Sequence, residues 1–380
     1  RILLLDRARF PRAKVCGEYM SPQALLTLDH LGVLGRLEAL QPRRLRGLTL
    51  HAKGNAVFRA DYEPVDGHVP FRPYGFGVSR LLLDDLLLRN ARDTAGVEIR
   101  EGFSVARLLE EEGRVVGITG RVGTAPPERF RTDLVVGADG VRSLIARRAG
   151  LALPPARRKF AFMAHLTGLP DENRGELHLG PDCYAGIAPV EGARANINLV
   201  VDQRRLAGVR GDPARFFEET LASIPGMSRR LAGARRDGPV RGVGPVAWDV
   251  RSAVGEGVLL VGDAAGFVDP FTGEGLFMAL RGAEIAAEEI PRALGTEGAN
   301  RRGLAGYLRR RAGEFGSRTA ACRGIQHLLR HRRLAGWVID RLGKRGRVAR
   351  RIVAASGDYL PPERAVTLST LMDLLNPVAA

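Results

Sequence analysis

Three cysteines, at positions 16, 183 and 322, are all that this chain of 380 residues contains. An odd, scattered set excludes a disulfide framework, shows no metal-binding spacing, and makes a reducing cytoplasm the default compartment. No run of 18 apolar residues occurs and no secretory signal is visible, so no membrane-spanning segment is expected. Lysine is nearly absent: only four of the 58 basic residues are Lys. The net charge of +16 accompanies an Arg, Ala and Gly excess that coding bias explains as readily as function does. Aromatic residues make up 6% and form no stacking platform, and no nucleic-acid motif is present, so nucleic acid is not an expected partner. No internal repeat is found, and no oligomeric state can be read from the chain.

What is present is concentrated in Gly257 to Leu280. The apolar run Val258 to Val261 reads as a buried parallel strand. It stops at Gly262-Asp263, which small residues, a proline turn and a glycine-flanked helix start follow. Asp263 at a strand end can accept a hydrogen bond from a polyol hydroxyl. Gly273 and Gly275 let the backbone approach a ring or phosphate closely. The turn and helix start formed by Pro270, Gly273, Gly275 and Leu276 thus read as a site for a phosphorylated ligand.

Thr132 to Arg147 repeats the logic upstream: an apolar strand ends in Ala138-Asp139-Gly140, and a helix follows with Arg142 and Ser143 in its first turn. Together the two segments resemble the paired Asp-Gly and Gly-Asp motifs of the flavoprotein hydroxylase superfamily, in which both lie along FAD. The start of the chain fits the same pattern. Arg1 to Arg7 looks like a dinucleotide-fold strand ending in Asp6, the acid that binds adenosine ribose hydroxyls about 20 residues after a Gly-x-Gly-x-x-Gly loop. Neither that loop nor an initiator Met is present, so the first strand, phosphate loop and first helix are expected to be missing, with a loss of FAD affinity if the protein begins here. Otherwise Asp6 simply ends a strand.

Phe10-Pro-Arg12-x-Lys14-x-Cys16-Gly17, followed by Ser21-Pro-x-Ala-Leu, is similar to the geranylgeranyl reductase family of that superfamily, over roughly residues 1–290. The resemblance implies reduction of isolated carbon–carbon double bonds, with Cys16 and Gly17 near the isoalloxazine and Lys14 or Arg12 near phosphate or substrate. It also places Arg80, opening a helix in Tyr74 to Leu88, beside the flavin. The plainer alternatives are a small buried thiol at Cys16 and a solvated helix end at Arg80. Cofactor contacts are therefore expected at Asp6, Arg7, Cys16, Gly17, Arg80, Ala138, Asp139, Gly140, Gly262, Asp263, Pro270, Gly273, Gly275 and Leu276.

The fold class expected is α/β: a three-layer Rossmann-like FAD-binding domain from residues 1–154 and 255–300. An antiparallel-sheet substrate domain at 155–254 interrupts it, and a basic, mostly helical segment at 301–380 follows it. Short alternating strands such as 160–166, 175–179, 183–189 and 195–201 support the insertion. Between Arg301 and Arg351, sixteen basic residues oppose only Glu314 and Asp340, beside apolar residues at helical spacing. Such a basic amphipathic segment can lie on an anionic bilayer, steer a diphosphate, or form a helical cap with solvated arginines.

Where the reductase family often shows Tyr-x-Trp-x-Phe-Pro, this chain has Tyr184-Ala-Gly186-Ile-Ala188-Pro189, so a wider cavity or a different substrate is expected. Tyr184 is a candidate proton donor or a sheet cap, as Cys16 is a candidate catalytic thiol. His165 and His178 read as satisfied sheet residues. No second dinucleotide fingerprint appears, so NAD(P)H is expected as a transient external reductant. A hydrophobic substrate reduced at a double bond is the leading expectation. A monooxygenase acting on an aromatic or polyketide substrate and a non-catalytic flavin protein are the alternatives; halogenation is disfavoured because the Trp-x-Trp-x-Ile-Pro element is missing.

Overall fold

The computed structural model describes residues 1–154, 159–170, 172–209 and 211–375. Two parallel strand pairs carry the nucleotide-binding architecture: Ile2–Asp6 beside Val97–Glu101, and Val135–Gly137 beside Val258–Leu260. Such strands read as continuous apolar runs because both faces are covered; Val258, Leu259 and Leu260 are fully buried. Val135 pairs with Val258 and Gly137 with Leu260, so Asp139 and Asp263 leave neighbouring strands at the same, carboxyl end. Open α/β sheets bind their ligands beyond that end. A meander of Phe103–Glu111, Arg114–Val122 and Glu128–Arg131 packs nearby, with the Thr124-Ala-Pro-Pro segment joining its last two strands.

The expected antiparallel sheet is present but larger than residues 155–254 alone would make it. Gly47–Ala52 and Asn55–Asp61 extend it to seven strands, and Gly47–Ala52 runs parallel to Gly175–Gly180. Alternation sorts its faces. Cys183, Ala185 and Ile187 pack with Ala195, Ile197 and Leu199 under the helix Pro213–Ala222. Tyr184 and Val200 face the other way, against Val246, Phe267 and Phe271. That second face is the wall of the functional site.

Three helix starts position it. Ser21 caps Pro22–His30, its hydroxyl accepting from the Ala24 amide at 3.2 Å, as the Ser-Pro-x-Ala pattern requires. Ser79 does not cap Arg80–Asp93 with its own hydroxyl; carboxylates from elsewhere do so, Glu18 accepting from the Arg80 N–H at 2.9 Å and Glu191 from the Ser79 N–H at 2.9 Å. Anionic caps at this positive helix end tie the loop before residue 19 to the sheet. The 20-residue helix Gly275–Leu294 has no side-chain cap at all. Beyond it, residues 305–375 are mostly helical, and Gly346–Ser356 packs its buried Val353 and Ala354 near Ala60 and Tyr62. No helix of the described residues is long and apolar enough to cross a membrane.

Candidate cofactor and substrate site

The cleft is built around the loop between Phe10 and Glu18. Arg12 donates to Asp84 at 2.9 Å and approaches Asp6 at 3.7 Å. Asp84 in turn holds Arg80 through two bonds, 2.6 and 2.8 Å. Such a bidentate pair is the strongest form of this contact. The Cys16 sulfur accepts from the Glu18 N–H at 3.4 Å and also meets the Arg80 guanidinium. Glu18 is buried with a left-handed backbone (φ 54°), and its second oxygen is held by His165 at 2.6 Å and by the Asn196 amide at 3.0 Å. The loop is thereby pinned between a helix start and a sheet. Gly17 faces Asn198, whose amide nitrogen would stand at an ordinary 3.9 Å from a Cβ there. At Gly77 an added Cβ would collide with the Pro189 carbonyl, so only glycine fits between the two sheets.

The charges in this cleft are mutually adjusted. Burial pushes the Asp263 carboxyl up from its ordinary value, and Lys14 and Arg80 draw it partly back. Lys14 is exposed at the cleft, yet partial loss of water around it pushes its ammonium down and Arg80 adds repulsion; Asp263, Cys16 and Asp84 oppose the shift. Burial disfavours the charge on Arg80 as well, but Cys16 and Asp84 outweigh it and hold the guanidinium firmly charged. Perturbed groups converging in a cleft mark a functional site.

The residues present fit FAD. The Asp263 carboxylate receives no hydrogen bond among the described residues, which suits a polyol donor. The uncapped start of Gly275–Leu294 leaves first-turn N–H groups available to an electron-rich ring edge or anion. Gly262 (φ 56°) and Gly273 (φ 75°) adopt backbone that a side chain would strain, and Gly273 lies against the Tyr19 ring, where a Cβ would come to 3.0 Å. Pro270 starts the tight turn and Leu276 packs on the main core.

Not every expected contact is open. Ala138 and Asp139 are exposed at the strand end and Gly140 turns with φ 76°. However, Asp139 accepts from the Ser143 hydroxyl at 2.5 Å and from the amides of Leu144 (2.6 Å) and Ile145 (3.2 Å). Its carboxylate therefore builds the following helix start. Asp6 likewise accepts from the Ala8 amide at 2.8 Å, and Arg7 is exposed without an ion pair among the described residues.

Tyr184 is engaged within the sheet wall. Its hydroxyl donates to Asp269, which Lys159 also holds at 2.7 Å and which caps Phe271 at 3.0 Å. Burial first, and then the Asp269 charge, push the Tyr184 hydroxyl well above its ordinary value. So held, Tyr184 positions Asp269 beneath the Pro270 turn, in keeping with the structural of its two expected roles. Cys16 stays in the cleft, beside Arg80. Sequence reasoning missed Glu18, Asp84, Asn196 and Asp269. Only Asp84 carried a readable signal, four residues after Arg80 on one helix face.

On the sheet's other face, His51 and His178 stack with ring centroids 4.2 Å apart, and their ligand atoms and those of Glu176 lie within 4.8 Å of one another. Arg230 already donates to both oxygens of Glu176, from Nε to Oε2 at 3.0 Å and from Nη2 to Oε1 at 2.6 Å, and so takes the place an ion would need. Burial, then repulsion from His178, push His51 down from 6.5 to about 4. Because the unfolded chain accepts a proton that the folded chain declines, this contribution is complete above pH 6.5 and lost as pH falls toward 4. His51→Gln should flatten the fall in denaturation midpoint across that window by about 1–2 kcal/mol, a figure discounted for the ring's partial exposure. Unchanged pH dependence would refute the assignment.

Comparison with known proteins agrees with this geometry. The FAD binding domain family matches residues 1–314. Digeranylgeranylglycerophospholipid reductase 2 of Methanopyrus kandleri is 30% identical over 323 residues, covering 83% of this chain and 77% of that protein. Menaquinone reductase of Mycobacterium tuberculosis is 30% identical over 307 residues, covering 76% and 70%. Among solved structures, a flavoprotein/dehydrogenase from Cytophaga hutchinsonii superposes with a TM-score of 0.82 at 18% identity, over 99% of this chain and 92% of that one.

Proposed function

Because this chain belongs to the FAD binding domain family and is an FAD-dependent oxidoreductase, we propose that it reduces carbon–carbon double bonds of an isoprenoid or similar hydrophobic substrate, with NAD(P)H as a transient external reductant. The similarity to a digeranylgeranylglycerophospholipid reductase supports the substrate class. When bound and reduced, FAD supplies the hydride. The similarity to that reductase carries the proposal, and Lys14, on the loop between Phe10 and Glu18, is the group proposed to supply the proton that follows the hydride. Its side chain is exposed at the cleft, and the dense protein surround together with the Arg80 charge pushes its ammonium down from the ordinary lysine value. Arg80 and Asp84 hold the loop that carries Lys14, and the sheet wall with Asn196 and Asn198 closes the cleft behind it.

The test is anaerobic. Flavin-loaded protein is photoreduced and mixed with a polyprenyl substrate, and reoxidation of the flavin absorbance is followed. Reoxidation by the alkene, with slowing in Lys14→Met, is the expected result. No reoxidation by the alkene, with reoxidation coupled to hydroxylation of an aromatic compound in a parallel arm to which oxygen is admitted, would replace the proposal with a monooxygenase.

The proposal extends to a peripheral contact with an anionic bilayer. On helix Arg332–Leu342, Leu334 and Trp337 are 50% and 38% exposed, and the Arg341 guanidinium lies over the Trp337 ring at 5.4 Å. Arg333, Lys344, Arg347 and Arg350 are exposed nearby in the chain. Apolar residues beside cationic ones suit the interface of an acidic membrane. Replacing Leu334 and Trp337 together by serine should weaken sedimentation with phosphatidylserine-containing vesicles by about tenfold. Equal sedimentation of parent and variant would exclude this surface.

A further inference from the structure

The sheet face that walls the cleft carries a small clearing with unpaired polar groups beside it. Side chains alternate along each strand, so Asn196 and Asn198 stand on the face of Val200, and Gly186 and Ala188 on that of Tyr184. Gly186 pairs directly with Asn198, and Ala188 with Asn196. Gly186 is half-buried, and a Cβ there would meet nothing nearer than the Glu176 carbonyl at 3.9 Å, so the space over it is not filled. The asparagines themselves are 0% and 8% exposed. Asn196 commits its NH2 group to the Cys16 carbonyl at 3.1 Å and to Glu18 at 3.0 Å. Those two acceptors fix the orientation of the amide and leave its Oδ1 buried without a donor. The Asn198 Oδ1 is buried and unpaired in the same way, and no described residue holds the other end of that amide.

An amide oxygen removed from water without a donor destabilises the ligand-free protein, and two such oxygens on one sheet face call for a partner from outside the chain. We propose that the clearing over Gly186 is a subsite for a neutral hydroxyl group of the substrate, selected by Asn198. A hydroxyl donates to an Oδ1 and accepts from the free Asn198 NH2. A carbonyl or an ether only accepts, and would leave both oxygens unpaired. An ammonium would also bring donors, but the loop held by Asn196 carries Lys14, and its Cys16 meets Arg80, so a cation is repelled. A carboxylate or phosphate would face two carbonyl oxygens with no proton to give them. Asn196 is bonded to the loop and so acts as a positioning residue; Asn198 holds no other group and is left to discriminate. The inference rests on the isoprenoid reading for the remainder of the molecule, to which it adds the demand for a hydrogen-bond donor.

Calorimetric titration of the flavin-loaded protein with two matched pairs tests this: geranylgeraniol against its methyl ether, and 2-naphthol against its methyl ether. The parent should bind geranylgeraniol about tenfold or more tightly than the ether, and Asn198→Leu, which keeps the size and removes both polar ends, should bring the two within about twofold. Gly186→Val should weaken alcohol and ether alike, since it fills the clearing and leaves the amide in place. Asn198→Leu should also raise the melting temperature of the ligand-free protein, because it removes an unpaired buried oxygen; this readout depends on no ligand. Equal binding of alcohol and ether by the parent overturns the proposal, as does a preference that survives in Asn198→Leu, a lower melting temperature in that variant, or failure of all four compounds to bind. Weakened FAD binding in Asn198→Leu with the preference unchanged would overturn it too, by assigning the amide to the cofactor. An Asn198-dependent preference for naphthol over its ether, with geranylgeraniol unbound, would retain the subsite and remove the isoprenoid reading instead.

Discussion

Asp263→Asn should lower FAD affinity by tenfold to about a hundredfold while leaving the apoprotein at least as stable as the parent. The two effects have one cause. The Asp263 carboxylate sits where burial disfavours its charge, which Lys14 and Arg80 offset only in part, and no described hydrogen-bond donor satisfies it. A polyol hydroxyl donating to that charge contributes about 1.5–3 kcal/mol, and the amide keeps only a neutral acceptor. In the absence of FAD the same substitution removes an only partly compensated charge from a desolvated site, so the melting temperature should hold or rise, as is common where function maintains a strained group. The pH dependence follows from the sign of the shift. An acid whose folded value is raised favours the folded state at low pH and loses that contribution as pH rises through the raised value. FAD affinity should run the opposite way in the parent, falling as acid protonates Asp263, and should be flat in the Asn variant. Fluorescence titration of FAD against both proteins at several pH values checks this; equal affinities would remove Asp263 from the site.

The same residue shows how much of the site was legible beforehand. An apolar run ending in Gly-Asp and followed by a glycine-flanked helix start places Asp263 at a strand tip, and strand pairing sets it beside the tip that bears Asp139. Periodicity and punctuation carry that much. They do not say where a side chain points. Asp139 turns back onto its own helix start and Tyr184 turns away onto Asp269, because nearby unsatisfied amides and a buried cation compete for each group. Glu18 was invisible for a different reason. Its role depends on a left-handed backbone and on partners at 80, 165 and 196, separations that no local pattern encodes. The larger sheet was missed likewise, since a parallel pairing of Gly47–Ala52 with Gly175–Gly180 joins segments about 130 residues apart by a long connection.

Arg318→Met should be the most destabilising single change outside the apolar core, costing about 3–5 kcal/mol. Arg318 lies buried on helix Ala305–Arg330 and donates to Glu274 at 3.1 Å and to Asp358 at 2.6 Å, with the Asp358 carbonyl accepting at 3.0 Å. All three side chains are nearly inaccessible. One guanidinium therefore fastens the residue before the helix start at Gly275 to the turn after Gly346–Ser356, joining the C-terminal helices to the cofactor turn. Even with the arginine present, burial pushes the Asp358 carboxyl well above its ordinary value. Removing the arginine leaves two facing carboxylates in a dry site. The deficit should accordingly shrink as pH falls, because protonation relieves charges that the folded state can no longer balance. Adding Glu274→Gln and Asp358→Asn to the Met variant should restore most of the lost stability, since replacing a whole buried ion network is commonly near neutral whereas breaking it is not. Urea denaturation of the single and triple variants at pH 5 and 8 distinguishes the cases. A single variant within about 1 kcal/mol of the parent at both pH values would show that packing alone, and not this triad, holds the C-terminal helices on the turn.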